Sequence, residues 1–283
     1  MANEQTILIT GATGQQGGAV LRHLKDTGFT LRAMTRKPEG DKGRALAGQG
    51  VEVVKGDLDD EASLRAALAG AWGVFAVQNT WEAGVEGEEQ QGKRLAVLAK
   101  AAGVQHYVYT SVGSAHRRTG IPHFENKWRV EETVRAQRFP SHVIIRPVFF
   151  MENLLGSWFL NGDTLSAALK PTTELQMIAV DDIGRVGART FTSAAALKGR
   201  EIDIAGDTAT MPRVVEVLSG ALGRRIAFAQ IPIEVVRKNS EDFALMLEWF
   251  ERVGYNADTP ALDREFGRMT RLDAWAGRAA TRP

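Results

Sequence analysis

Ile7-Leu8-Ile9-Thr10-Gly11-Ala12-Thr13-Gly14-Gln15-Gln16-Gly17-Gly18-Ala19-Val20 is the stretch whose reading decides the fold. An apolar run stops at Gly11. Two further glycines follow at three-residue spacing, and an apolar helical pattern then begins with Val20, Leu21 and Leu24. The stretch reads as a strand, a tight turn and a helix start, the context in which a glycine string of this spacing becomes a dinucleotide fingerprint. Gly11 permits the sharp turn, Gly14 lets the backbone come close to a pyrophosphate, and Gly17 lets the helix pack tightly on the strand. The unpaired N–H groups of the first helical turn face the phosphates.

Outward from this turn, strands and helices alternate. We expect strands over 6–10, 30–35, 51–55, 73–77, 106–110 and 141–146. Between them we expect helices over 16–26, 41–47, 61–68, 86–102 and 122–136. Asp57 or Asp59 is expected to cap the third helix. Alternation of this length predicts an α/β protein with a Rossmann-type, doubly wound parallel sheet and right-handed crossovers. Residues 1–150 are read as a nucleotide-binding domain and 151–283 as a smaller, mixed α/β substrate or partner lobe. The boundary is soft, with the chain interleaving between lobes. In the second half we expect a strand over 173–180, a helix over 182–196 capped by Asp181, and helices over 232–238 and 242–253. The stripe Phe243, Leu245, Met246, Trp249, Phe250 is read as core or dimer contact.

Composition narrows the chemistry. The 283 residues carry a net charge of +1, so there is no electrostatic footprint for nucleic acid or a membrane. There is no cysteine, which excludes a disulfide framework, thiolate metal sites and a cysteine nucleophile. The five histidines show no metal-ligand spacing, and no Gly-x-Ser-x-Gly elbow is present. No apolar stretch is long enough to span a bilayer. Residues 1–5 carry no basic region, so we expect no signal peptide and a cytoplasmic location.

Site candidates follow from position. Arg36 and Lys37 end the second strand where many dinucleotide folds place an acid for the ribose 2′-hydroxyl. Arg36 can grip a 2′-phosphate with paired hydrogen bonds, which predicts NADP(H) over NAD(H). Asp57, just past the third strand, can accept from an adenine amino group. Gln78 follows the fourth strand, in a polar loop suited to the ribose or nicotinamide side. His123 and Lys127 lie four apart in one helix, and Ser111 or Ser114 opens the loop after the fifth strand. Phe149, Phe150 and Trp158 offer either a flat apolar substrate wall or ordinary core packing.

These stretches together resemble the NmrA-like branch of the atypical short-chain dehydrogenases. The likeness is carried by Gly11 to Gly18, Thr35-Arg36-Lys37-Pro38, Gly56-Asp57-Leu58, Tyr109-Thr110-Ser111-Val112 and Pro122-His123-Phe124-Glu125-Asn126-Lys127. Arg146 to Asn153 and Ala179 to Gly184 extend it over most of the chain. The resemblance implies that Gly11, Thr13, Gly14, Gln15, Gln16 and Gly17 surround the pyrophosphate of NADP(H). Arg36 and Lys37 then hold the 2′-phosphate, Asp57 and Leu58 flank the adenine, and the segment from Pro147 to Phe150 passes beside the nicotinamide. Lys127 corresponds to the lysine of the Tyr-x-x-x-Lys pair, and Phe149, Phe150 and Asn153 belong to the substrate pocket.

One departure matters. His123 stands where that pair has its tyrosine, and none of the three tyrosines lies four before a lysine. His123 can replace the phenol as general acid, with Lys127 and Ser111 as the other catalytic candidates, or water can supply the proton. The family includes reductases, some acting on quinones, and non-catalytic proteins that report the NADPH/NADP+ ratio to protein partners. The expectation is therefore an NADPH-dependent reductase of a small carbonyl, enone or quinone-type acceptor. The alternative is a redox sensor whose loop over 78–92 is reshaped by the cofactor. Oligomerisation is left open.

Overall fold

The computed structural model describes residues 5–281. Residues 1–4, on which the signal-peptide expectation rests, lie outside the described residues. In chain order the elements are β1 (Thr6–Ile9), α1 (Gln15–Leu24), β2 (Thr30–Thr35), α2 (Asp41–Ala47), β3 (Glu52–Lys55), α3 (Glu61–Leu68), β4 (Ala71–Ala76), α4 (Thr80–Ala101), β5 (His106–Thr110), α5 (Pro122–Ala136) and β6 (Ser141–Pro147). There follow β7 (Phe149–Phe150), β8 (Leu160–Asn161), β9 (Thr164–Ala167), β10 (Leu175–Ile178), α6 (Val180–Thr192), α7 (Ala194–Leu197), β11 (Glu201–Ile204) and β12 (Asp207–Ala209). The chain closes with α8 (Met211–Leu222), β13 (Ala227–Gln230), α9 (Ile233–Asn239), α10 (Glu241–Arg252), α11 (Thr259–Phe266) and α12 (Leu272–Ala280).

The central sheet has seven strands in the order β11-β6-β5-β4-β1-β2-β3. β1 pairs in parallel with both β2 and β4, and β2–β3, β4–β5 and β5–β6 are parallel as well. The order reverses at β1, which is the switch point of a doubly wound sheet. Both faces are covered, so the strands are near-continuous apolar runs. Leu8, Val74, Tyr107, Tyr109 and Ile144 join Leu64, Leu68, Leu95, Val130 and Val134 in one buried cluster supplied by α3, α4 and α5. Phe75 packs on the opposite face, where Gly187 of α6 leaves room for it and for Val20 of α1.

Contacts divide the chain into two compact units. The first comprises 1–112, 125–146 and 183–202, and the second comprises 113–124, 147–182 and 203–283. The second unit holds two three-stranded sheets, β12-β10-β7 and β13-β9-β8. β10 runs parallel to β7 and antiparallel to β12, while β9 runs parallel to β13 and antiparallel to β8. The stripe on α10 is core: Met246, Trp249 and Phe250 are buried. Among the described residues no helix is long and apolar enough to cross a membrane.

Three local expectations are corrected. The cap of α3 is Asp60, whose side chain accepts from the N–H of Ala62; Asp57 instead accepts from the N–H of Asp59 in a turn of its own. α4 begins at Thr80 and not at 86, because Asn79 caps an extra turn that Gly84, at φ +73°, joins to the main helix. α6 begins at Val180, so Asp181 lies inside its first turn, and a break at Ser193 separates the short α7.

A buried ionic network fixes α5 to the sheet. Glu131 of α5, 0% exposed, accepts from Arg146 of β6 at 2.8 and 2.6 Å and from Arg135 at 2.6 Å. Glu201 of β11 accepts from Arg135 at 2.6 Å and also from Arg146. Burial raises the Glu201 pKa, but the two guanidinium groups outweigh it and pull it down to about 2 from an ordinary 4.5. A carboxylate depressed in the folded state stabilises fully above its unfolded pKa and loses that contribution as pH falls through the folded one. Glu201→Gln should therefore be less stable than the parent at neutral pH, and the gap in thermal midpoint should close between about pH 4.5 and 2. A gap that stays constant down to low pH contradicts this assignment.

Candidate functional site

The turn after β1 is built by close approach. Thr10 Oγ1 donates to the carbonyl of Val77 at 2.9 Å and accepts from its N–H at 2.8 Å, which ties this turn to the end of β4. Gly11 has φ +59°. A Cβ on Gly17 would lie 2.5 Å from the carbonyl oxygens of both Thr10 and Gly11, so only glycine lets α1 rest on this turn. Gly14 occupies the cap position of α1, and no side chain caps the helix there. The N–H groups of Gln15, Gln16 and Gly17 have no acceptor within the helix, and they carry the positive end of its dipole. Gln16 is anchored by Thr110 Oγ1 at 2.7 Å, and the Thr13 carbonyl accepts from Lys42 at 3.3 Å.

The neighbouring strand ends carry the expected cations and acid. Arg36 is exposed and pairs with Glu82 of α4 at 2.7 Å; Lys37 beside it is exposed as well. The N–H of Asp57 donates to Ser63 Oγ at 3.0 Å, and Leu58 is half-buried against the core. No local signal marks Glu82: it stands 46 residues from Arg36, in the added first turn of α4.

Lys127 is held by a buried carboxylate. Its side chain is 13% exposed and pairs with Glu88 of α4, which is 1% exposed. Glu88 also accepts from Thr80 and, at 3.0 Å, from Asn126 Nδ2. Asn126 donates further to the Val85 carbonyl at 2.7 Å. Burial opposes ionisation of Glu88, but Lys127 and the hydrogen bonds from Thr80 and Asn126 outweigh it and hold the carboxyl below its ordinary value. Among the described residues, the Gln78 amide, Ser111 Oγ and Asn126 Oδ1 are buried side-chain groups without a protein partner. Buried polar groups are paired in folded proteins as a rule. An uncapped helix terminus together with orphaned polar groups at the ends of β4 and β5 fits a phosphate-bearing ligand with hydroxyl and amide groups. Tyr107 and Tyr109 are 0% exposed, and burial pushes both phenols up.

In the second unit His123 is 7% exposed, and its Nδ1 lies 2.7 Å from Asp242 Oδ1. Pro147 and Val148 are buried, as is Phe149, whose ring meets Phe159 and Phe250 edge-on at 5.4 and 6.3 Å. Phe150 is half-buried, Asn153 is exposed, and Trp158 is 72% exposed. Phe149 thus belongs to an aromatic core cluster, and Trp158 sits at its exposed edge, against Phe243 at 6.4 Å. Among the described residues no group of three or more His, Asp or Glu side chains is placed to hold a metal ion.

The Glu88–Lys127 pair has a measurable signature. Removing one partner of a buried ion pair leaves an uncompensated charge and costs about 3–5 kcal/mol, whereas replacing both by apolar groups is close to neutral. Glu88→Ala should lower unfolding stability by that amount in urea. Glu88→Leu combined with Lys127→Met should recover most of the loss. A double variant as unstable as Glu88→Ala would show that the pair is not the source.

The NmrA-like family matches residues 3–278. An NmrA-like family domain-containing protein of Dictyostelium discoideum is 25% identical over 267 residues, covering 88% of each chain. A reductase of Streptomyces griseus, named for (4-alkanoyl-5-oxo-2,5-dihydrofuran-3-yl)methyl phosphate, is 32% identical over 235 residues, 82% of this chain and 79% of that protein. Several fungal NmrA-like oxidoreductases are matched over only about half of their length. Among solved structures, an NADPH-dependent quinone oxidoreductase from Escherichia coli superposes with a TM-score of 0.82 at 24% identity, covering 96% of this chain and 99% of that one. This last likeness carries the fold. With a sequence match spanning nearly its whole length, the chain belongs to the NmrA-like family.

Proposed function

We propose that this chain is an NADPH-dependent reductase that delivers a hydride to a small carbonyl, enone or quinone-type acceptor. The observation that carries the reading is the uncapped N-terminus of α1, seated by Gly17 against the end of β1, with Arg36 at the end of the adjacent strand. The reductase names of relatives such as the Streptomyces griseus protein support it.

In this reading Gly11, Thr13, Gly14, Gln15, Gln16 and Gly17 line the pyrophosphate, which takes hydrogen bonds from the first-turn N–H groups of α1. Arg36 and Lys37 bind the 2′-phosphate. The Arg36–Glu82 pair is exposed, and such pairs contribute roughly 0–1 kcal/mol, so the guanidinium exchanges it for a dianionic phosphate. Asp57 and Leu58 flank the adenine. Lys127, oriented by Glu88, donates to ribose hydroxyls, and Gln78 and Ser111 offer their unused polar atoms to the ribose and nicotinamide side. Pro147 and Phe150 border the nicotinamide, which supplies the hydride when bound in its reduced form. Phe149, Phe150 and Asn153 contribute to acceptor binding, with specificity set in residues 151–283. His123 gives the proton, since Tyr107 and Tyr109 are locked in the core. The missing tyrosine at 123 also favours a second reading, a sensor that binds NADPH without turnover and signals to a protein partner.

Two measurements test this. Arg36→Ala should weaken NADPH binding by about 1.5–3 kcal/mol, the worth of a charge-assisted hydrogen bond, and leave NADH binding nearly unchanged; an equal loss for both removes the 2′-phosphate assignment. NADPH consumption with quinones, enones and aldehydes should be detectable and should drop strongly in Lys127→Ala, with cofactor binding partly retained. Tight NADPH binding without turnover on any acceptor selects the sensor.

A further inference from the structure

The first turn of α5 and the first turn of α10 meet at a histidine–aspartate pair. His123 Nδ1 lies 2.7 Å from Asp242 Oδ1, and the backbone N–H of His123 points to the same oxygen at 3.4 Å. The two side chains are 9% and 17% exposed. Asp242 lies in the first turn of α10, which Ser240 caps by accepting from the N–H of Phe243 at 3.1 Å. On the other side the Phe124 ring stands at 87° to the imidazole, with centroids 4.8 Å apart. The imidazole is thus held by a charged acceptor and an aromatic edge, across 119 residues of sequence.

A carboxylate without a proton can only accept, and a hydrogen bond from Nδ1 to it requires the proton on Nδ1. This selects one tautomer. Reduction of a carbonyl consumes a hydride and a proton. If the imidazolium of His123 releases its Nε2 proton to the acceptor oxygen, the ring that remains is neutral with its proton on Nδ1, which is the form that Asp242 binds. A histidine locked the other way, neutral with the proton on Nε2, is far too weak an acid to do this.

We propose that Asp242 is the positioning residue for His123: it selects the Nδ1–H tautomer and holds the ring so that Nε2 is the proton-donating atom. The proposal rests on the reductase reading with His123 as proton donor. A purely structural role, in which Asp242 only caps the N-terminus of α5, makes different predictions.

The test uses the full chain in two measurements. In the cofactor-free protein, nitrogen NMR of the labelled His123 ring should report the Nδ1–H tautomer at a pH where the ring is neutral. Asp242→Asn should raise the Nε2–H fraction, and Asp242→Ala serves in its place if the amide variant does not fold. In NADPH-dependent turnover, Asp242→Asn and His123→Gln should each lower kcat by about 100-fold, the scale of general acid catalysis, with KM for NADPH unchanged. The double variant should be no worse than His123→Gln alone. If His123→Gln lowers kcat and Asp242→Asn does not, or if their losses multiply, the positioning role is overturned while the proton donor stands. Unchanged kcat in His123→Gln overturns the proton-donor reading and this inference with it. A parent protein whose His123 carries its proton on Nε2 overturns the Asp242 assignment by itself, whether or not turnover is found.

Discussion

The carbonyl oxygens of Thr10 and Gly11 stand where a side chain on residue 17 would have to be, 2.5 Å from the position of its first carbon. That single contact sets how closely α1 approaches the end of β1. With α1 seated so, its first-turn N–H groups open beside the strand ends, next to Arg36 and the loop that follows β4. The same turn is pinned from below by Thr10, which both donates to and accepts from the backbone of Val77. A larger residue at 17 would lift the helix from the turn and move the N–H groups, so their placement and the helix packing depend on the same missing atom.

Helix α5 is the second fixed part of the first unit. It carries Lys127, and it is held at two levels by carboxylates with no access to water. Glu88 reaches Lys127 from α4, while Glu131 of α5 binds Arg146 of the sheet. Buried ion pairs of this kind add little net stability compared with apolar packing, yet they tolerate no loss of a partner. They therefore serve placement. A lysine tethered to a 1% exposed carboxylate is restricted in where its ammonium group can go. In the same unit, Gln78, Ser111 and Asn126 retain side-chain polar atoms that no other described residue uses.

Much of this was legible in the sequence because the signals are local. β2, α2, α3 and β5 fall on the residues expected of them, since each is a short run bounded by its own turn residues. Thr80 escaped because Gly84 interrupts the helical pattern, and a helix continued across a residue at positive φ leaves no periodic trace. The cap of α3 was misplaced within a cluster of three acids, Asp57, Asp59 and Asp60. All three are chemically able to cap, and only backbone geometry chooses Asp60.

The sequence by itself determined the sheet, the glycine turn, the cations after β2 and the helix that carries His123 and Lys127, because each is written in spacing over a few residues. Tertiary structure alone decided which carboxylates attend those side chains. Glu82 meets Arg36, Glu88 meets Lys127, and Asp242 meets His123 across 46, 39 and 119 residues of chain. No local pattern marks these acids among the other acids of the chain. An ion pair requires only that two charged groups be brought together by elements folded for other reasons, and that meeting is a property of packing.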